Sequence, residues 1–243
     1  MGCWRTASPP RRPPSGVEAT AVIAAAGSGQ RLGSGGPKAF VELAGRSLLE
    51  WCVAAFAAVP AVRAIVVAAP AGEEERATAI AEAAAGDTAT QVVAGAEHRS
   101  ESVAAALERV ETDLVAVHDA ARPLVSPELI GAVLAEFADD TVEGVVAATP
   151  VTDTVKQLLR GREVERTLDR SSLWAAQTPQ AFRVEALRRA LASTELLAQA
   201  TDDAMLLERI GGKVLLHDAP PENIKVTTPM DLRIAELLVA ERG

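Results

Sequence analysis

Five short apolar runs, at residues 19–25, 64–69, 90–94, 114–118 and 144–149, alternate with helical patterns at 47–58, 73–85, 100–110 and 127–137. That alternation constrains the fold more than any other feature of the chain. Parallel strands need long crossover connections, and the helices that make them cover both faces of the sheet. The spacing therefore predicts an α/β chain built on a mostly parallel, twisted sheet with helices on both faces. The helix starts are marked as well. Ser47 with Glu50 reads as a capping box, and Ser126 and Thr228 each stand as a cap before a first-turn proline.

The alternation breaks after Pro150. Residues 155–168 read as two short strands around Arg160-Gly161-Arg162, a hairpin turn signal. This stretch is charged and has few large apolar residues. It predicts a protruding β-hairpin arm, at about 152–170, that is marginal alone and leans on another surface. A strand at 173–176, helices at 184–192 and 202–210, a strand at 213–216 and a closing helix from Pro229 complete the pattern. The whole of 17–243 reads as one Rossmann-like unit, and 243 residues suit a single domain of this class. Alanine and valine dominate the apolar content and aromatics reach only 3%, so close packing of small side chains is expected. Residues 1–16 are rich in Pro and Arg and lack the apolar stretch of a secretory signal; they read as a disordered tail.

A net charge of −9 argues against nucleic-acid binding by the general surface. A polyanionic small ligand is compatible with it, provided the cations are concentrated at one site. No apolar run reaches the roughly 18–20 residues of a membrane span. Two cysteines, Cys3 and Cys52, exclude a disulfide framework and offer no metal-ligand spacing, which suits a reducing cytoplasm.

Between the first strand and the first helix runs a stretch with Gly27, Gly29, Arg31, Gly33 and the pair Pro37-Lys38. A glycine-rich loop after a strand exposes backbone N–H groups that suit phosphate oxygens, and Arg31 and Lys38 add two positive charges. Gly27 and Gly29 are expected to allow positive φ and to remove side chains from the ligand's path. Two commoner phosphate loops do not fit. The lysine precedes Ala39 rather than the hydroxyl residue of a Walker loop, and the third glycine falls one residue late for a dinucleotide fingerprint. A plain surface loop would not need glycines, an arginine and Pro37-Lys38 in one span.

The fourth core strand ends in His118-Asp119-Ala120-Ala121-Arg122-Pro123. Ligands of open α/β sheets bind at the carboxyl ends of the strands, so Asp119 is placed to hold Mg²⁺ against phosphates. Standing alone it would read as a turn aspartate. His118 reads as a buried histidine bonded to backbone. Arg122 either binds phosphate or pairs with an acid.

The pattern A-A-G-x-G-x-R-L with P-K at its end, from Ala25 to Lys38, resembles the signature loop of nucleotidyltransferases that join a nucleoside triphosphate to a phosphorylated sugar or alcohol. Four further stretches narrow the branch. Gly95 to Val103 resembles G-G-x-x-R-x-x-S-V, with Ala96 in place of the second glycine. Pro150 to Lys156 matches P-V-x-D-T-[VI]-K, Asp169 to Gln180 matches D-R-x-x-L-W-x-x-Q-T-P-Q, and Asn223 to Thr227 matches N-I-K-[VI]-T. With the His-Asp-Ala-Ala-Arg-Pro segment, the ordered set is similar to the 2-C-methyl-D-erythritol 4-phosphate cytidylyltransferases of the non-mevalonate isoprenoid pathway, from residue 19 to about 240.

The resemblance implies CTP and a phosphorylated polyol as substrates, Mg²⁺ as cofactor, and a homodimer through the arm. It implies that Arg31, Lys38 and Lys225 are catalytic. Arg31 and Lys38 would grip the triphosphate, and Lys225 would reach the phosphates from the far side. Ala25, Ala26, Gly27, Gly29, Gly95, Glu97 and Ser102 would bind the nucleotide, and Asp119 the metal. Thr154 and Arg170 would reach into a neighbouring subunit's site and hold the acceptor. Arg122, Thr178 and Thr201 would contact it too. Glu222 stands where related transferases present a second acidic metal ligand, a role not carried over here. Two alternatives are a ribitol-phosphate cytidylyltransferase and a non-catalytic nucleotide-binding module. The joint presence of Arg31, Lys38, Asp119 and Lys225 argues against the second.

Overall fold

The structure is a computed structural model that describes residues 17–27, 36–192 and 202–242. Its centre is β1 (Ala19–Ala24), which pairs in parallel with β4 (Val62–Ala69) on one side and β6 (Leu114–Asp119) on the other. Next to β4 lies β5 (Ala89–Ala94), also parallel. Beyond β6 come β10 (Trp174–Arg183), β7 (Gly144–Pro150) and β11 (Val214–Asp218). The resulting seven-stranded sheet has the order β11-β7-β10-β6-β1-β4-β5. Only β10 runs antiparallel to its neighbours in that sheet.

Alternate strand residues feed two cores, as a sheet buried on both faces requires. Ala21, Ile23, Ile65, Val67, Val145 and Ala147 face α1 (Leu48–Ala57), α2 (Glu74–Ala85) and α4 (Pro127–Ala135). Val22, Val66, Val115, Val117, Val146 and Phe182 face α3 (Arg99–Leu107), α5 (Val184–Leu191) and α6 (Asp203–Arg209). The C-terminal α7 (Pro229–Arg242) packs Ala235 against Leu43, Leu48, Leu124 and Val226 in a third, smaller cluster. Among the described residues no helix is long and apolar enough to cross a membrane.

The caps agree with the sequence in most places. Ser47 Oγ accepts from Glu50 N, and Ser126 Oγ accepts from Leu129 N. Thr228 Oγ1 accepts from Asp231 N, while the Asp231 carboxylate accepts from the Thr227 and Thr228 N–H groups. The start of α3 differs. The helix expected from 100 begins at Arg99 with His98 as its cap residue, where the Glu101 carboxylate reaches back to the His98 N–H at 3.3 Å; Ser100 is buried inside the helix.

The largest difference lies in the strand expected at 173–176, which runs on to Arg183. Proline and two glutamines inside Trp174–Arg183 obscure it, and the pairing shows why they are tolerated. The register to β7 jumps between Ala176 and Gln180, so Pro179 sits in an irregularity where no ladder N–H is needed. A small pair, β2 (Glu42–Leu43) and β3 (Arg46–Ser47), was not legible either. It is turned by Ala44 and Gly45, both at positive φ.

The hairpin forms as expected. β8 (Lys156–Arg160) and β9 (Glu163–Thr167) are joined by a turn with Gly161 at φ +50°. Lys156 Nζ bonds Thr167 Oγ1 and Arg166 Nε bonds Gln157 Oε1 across the strands. Every residue of β9 is exposed, and Leu158, Leu159 and Val164 are each about half exposed. The arm leaves the sheet from the carboxyl end of β7 and returns into β10.

Candidate active site

The parallel register aligns the strand ends that build the site. Ala24 lies opposite both Ala68 of β4 and Asp119 of β6. The chain then turns away at Pro70, Gly95 and Ala120, and the space left between these turns is a cavity of about 850 Å³. Its walls come from the first loop (Ala24 to Gly27, then Lys38 and Ala39), from Pro70 and Ala71, and from Gly95, Ala96, Glu97, Arg99 and Ser102. Asp119, Ala120 and Ala121 follow, and Lys225 and Thr227 complete it. The volume is that of a site for a small ligand rather than a macromolecule.

Of the residues singled out from the sequence, Ala25, Ala26, Gly27, Lys38, Gly95, Glu97, Ser102, Asp119 and Lys225 meet on this one cavity. Gly29, Arg31 and Thr201 lie outside the described residues, as does the tail at 1–16. Gly27 departs from expectation. Its backbone is not at positive φ, and among the described residues a Cβ there would meet no atom within 4 Å, so its lack of a side chain keeps the cavity wall open rather than permitting a turn.

Of the two described glycines on the cavity wall, Gly95 is the one with no room to spare. A Cβ there would stand 2.4 Å from Ala26 Cβ and 2.8 Å from Ala69 O, and its N–H bonds that same carbonyl at 2.7 Å. Gly95→Ala must push the two loops apart, at roughly 1–3 kcal/mol. We expect a lower melting temperature. An unchanged unfolding curve would show that the loops relax without cost.

Ser102 holds the same loop from beneath. Its hydroxyl accepts from Ala96 N at 2.9 Å and contacts His98 O at 3.1 Å, and the residue is almost fully buried. It fixes the backbone at Ala96 that lines the cavity.

Asp119 is the floor of the cavity, and both its oxygens are engaged. Arg99 Nε lies 2.8 Å from Oδ1 and Lys225 Nζ 2.6 Å from Oδ2. Burial alone would raise this carboxyl, but the charges of Arg99 and Lys225 outweigh it and hold Asp119 well below the ordinary carboxylate range. That direction favours the ionised carboxylate at neutral pH. Arg99 extends further inward, where NH1 meets Asp203 Oδ2 at 2.6 Å. Asp203 is 0% exposed; burial pushes its carboxyl up and Arg99 opposes that. In the sequence, Arg99 lies within the Gly95 to Val103 stretch and Asp203 at a helix start, and neither position announces a role. The residues are 104 positions apart, and no local pattern announces such a pair.

Thr178 and His118 stand behind Asp119. Thr178 Oγ1 accepts from Asp119 N at 3.1 Å and lies 3.0 Å from His118 Nδ1; His118 Nε2 lies 3.1 Å from the Arg122 carbonyl. A carbonyl only accepts, so Nε2 carries the proton and Nδ1 receives the threonine hydroxyl. Burial lowers His118 to about 4, which keeps this neutral tautomer at neutral pH. His118 is thus the buried, backbone-bonded histidine expected. Thr178 is 4% exposed and sits on this brace rather than on the cavity wall.

Arg122 is also turned inward: NH1 donates to the Asn223 carbonyl at 2.8 Å. Asn223 Nδ2 in turn bonds Gln177 Oε1 and the Thr178 carbonyl. This ties the loop that carries Lys225 to the strand behind Asp119. Thr154 and Arg170 are exposed at the root of the arm, where Arg170 bonds the Thr152 carbonyl; neither they nor Glu222 line the cavity. Among the described residues no three His, Cys, Asp or Glu side chains cluster to hold a metal unaided. A carboxylate offers about four lone-pair positions, and two of those on Asp119 are taken. One ionised carboxylate on the wall of an open cavity suits a divalent cation that also takes phosphate oxygens.

Known proteins share both the sequence and the fold. The curated relative from Symbiobacterium thermophilum, named 2-C-methyl-D-erythritol 4-phosphate cytidylyltransferase, is 43% identical over 233 residues, covering 93% of this chain and 95% of that one. The protein of the same name from Saccharopolyspora erythraea is 43% identical over 229 residues, covering 92% and 100%. Among solved structures, the enzyme of that name from Thermus thermophilus superposes with a TM-score of 0.73 at 33% identity, over 90% of this chain and 98% of its own. The 4-diphosphocytidyl-2C-methyl-D-erythritol synthase from Anaerococcus prevotii gives a TM-score of 0.79 at 28% identity, over 92% and 98%. With the family model matched across residues 19–241, the chain belongs to the 2-C-methyl-D-erythritol 4-phosphate cytidylyltransferase family.

Proposed function

We propose that this chain transfers CMP from CTP to 2-C-methyl-D-erythritol 4-phosphate and releases pyrophosphate. One observation carries the reading. An ionised Asp119 lies between two cations at the strand ends, on a cavity that Lys38 also lines. Family membership supports the choice of CTP and of this acceptor.

The chemistry asks for positioning and charge, not for a base. A phosphate monoester has a second pKa near 6, so the attacking oxygen is largely ionised at neutral pH. His118 and Cys52 are fully buried, in keeping with a mechanism that uses neither. Lys38, and Arg31 beside it in sequence, would face the triphosphate and stabilise charge on the α-phosphate. Lys225 would reach the phosphates from the far side of the cavity, and alignment of the two anions supplies much of the rate. Asp119 would hold Mg²⁺, which supplies charge neutralisation for the phosphates when bound. We expect Asp119→Asn to shift the magnesium titration to higher concentrations and to lower activity with it. A titration that overlays the parent's would take the metal role from Asp119.

We read Thr178 as holding the Asp119 backbone, and Ser102 as shaping the base pocket through Ala96. Thr154 and Arg170 would serve a neighbour's site in a homodimer. The arm supports that reading, since nearly all its residues are exposed within one chain, Leu158, Leu159 and Val164 among them. A hairpin of this kind is marginal unless something packs on it. A two-cysteine composition supports a reducing, cytoplasmic setting.

The test is pyrophosphate release from each of four nucleoside triphosphates with methylerythritol phosphate, with ribitol phosphate and with no acceptor. Turnover should require CTP and methylerythritol phosphate together. Preference for ribitol phosphate would move the chain to the other acceptor. CTP binding without turnover on any acceptor would make it a binding module.

A further inference from the structure

Four side chains alternate in sign from the interior to the cavity: Asp203, Arg99, Asp119 and Lys225, with contacts of 2.6, 2.8 and 2.6 Å. The two cations on Asp119 are not alike. Lys225 is a point charge on a flexible stem, with a side chain 44% exposed, and water can take its place. Arg99 is a rigid fork bonded at both ends, and moving it would strand a fully buried carboxylate. An arriving cation can therefore displace Lys225 from Oδ2 but not Arg99 from Oδ1.

We propose that Asp203, which never meets a substrate, is a positioning residue for the divalent-cation site. Through Arg99 it keeps Oδ1 of Asp119 turned inward and leaves Oδ2 as the atom offered to the cavity. This rests on Asp119 being the cation's ligand, as argued above. The charges explain why a carboxylate is needed. With Asp203 present, Arg99 is already matched, and Asp119 retains its charge for a ligand. Without it, a cation would approach one carboxylate flanked by two uncompensated positive groups. The Asp119 backbone is fixed independently by Thr178, so side-chain orientation is the freedom left for Arg99 to remove.

Substitution of a group that orients a metal ligand typically weakens metal binding by about 10–100-fold. The experiment measures Mn²⁺ binding to the protein, by the loss of the free-ion paramagnetic resonance signal beyond that caused by the same CTP without protein, with no acceptor. CTP affinity in EDTA and thermal unfolding are recorded alongside. Asp203→Asn, nearly isosteric but uncharged, should weaken Mn²⁺ by roughly tenfold or more and leave CTP affinity in EDTA near the parent's. Asp203→Glu, which keeps the charge, should recover most of the loss. A purely structural pair would lower the melting temperature and leave the Mn²⁺ affinity of the folded protein unchanged, and that result overturns the proposal. If Asp203→Asn does not fold, Arg99→Lys takes its place. It keeps the charge but cannot span two carboxylates as a fork, so weaker Mn²⁺ binding is again expected and parent-like binding overturns it. If CTP fails to bring Mn²⁺ onto the parent protein at all, the reading of Asp119 falls, and this inference with it.

Discussion

Lys38→Ala is expected to lower kcat/KM for CTP by at least about a hundredfold, on the order of 3 kcal/mol, as for loss of a donor that stabilises transition-state charge. The fold should survive, because the turn that carries Lys38 is held by its neighbours. Ala39 and Phe40 are buried, and the Lys38 backbone N–H bonds the Gly27 carbonyl at 3.2 Å. Arg76 also stacks over the Phe40 ring, 4.3 Å from its centroid. What the substitution removes is a positive charge on the wall of a cavity, where the low dielectric makes it count for more than in water. Steady-state kinetics and a melting curve check this together. Turnover close to the parent's would take Lys38 out of the mechanism.

The second large effect is a gain. Lys38→Ala and Arg170→Ala proteins should each be inactive alone and should recover activity when mixed. If the arm of one subunit completes its neighbour's site, a mixed dimer has one site with both defects and one with neither. Random exchange of equal amounts makes about half the dimers mixed. The expected recovery is then roughly a quarter of the parent activity per total site, if sites act independently. Subunit exchange must be shown first, for example by mild denaturation and refolding of the mixture. Proven exchange with no recovered activity would mean that Arg170 acts within its own chain or not at all.

The parts of the molecule that were legible in the sequence are those governed by short-range rules. Strand ends within one residue of Ala24, Ala94 and Asp119, the caps at Ser126 and Thr228, and the arm's turn at Gly161 all follow from periodicity, capping and turn chemistry. The cavity followed too, because a parallel sheet brings its carboxyl strand ends together however far apart they are in sequence. What escaped obeys no local rule. Trp174–Arg183 hides its length behind Pro179, which only a neighbouring irregularity makes acceptable. Asp203 looks like any first-turn helix aspartate until the fold brings Arg99 against it. Thr178 is marked only by the resemblance, as a contact to the acceptor; its bonds to Asp119 and His118 follow from its place on a strand inside the sheet, which no local pattern announces.

Cys52 carries a practical consequence. Its thiol sits under the turn that follows Asp119, 3.6 Å from the carbonyls of both Ala120 and Arg122, and burial pushes it far from the thiolate form. Alkylating agents react with thiolates that reach water, so this sulfur must wait for the floor of the site to open. Its labelling rate, followed on its own peptide by mass spectrometry after iodoacetamide treatment, is therefore a clock for local opening beneath the carboxylate. CTP with magnesium should slow that clock, since binding the closed form lowers the open population. The molecule thus carries, without any added probe, a chemical reporter of how often its own catalytic floor comes apart.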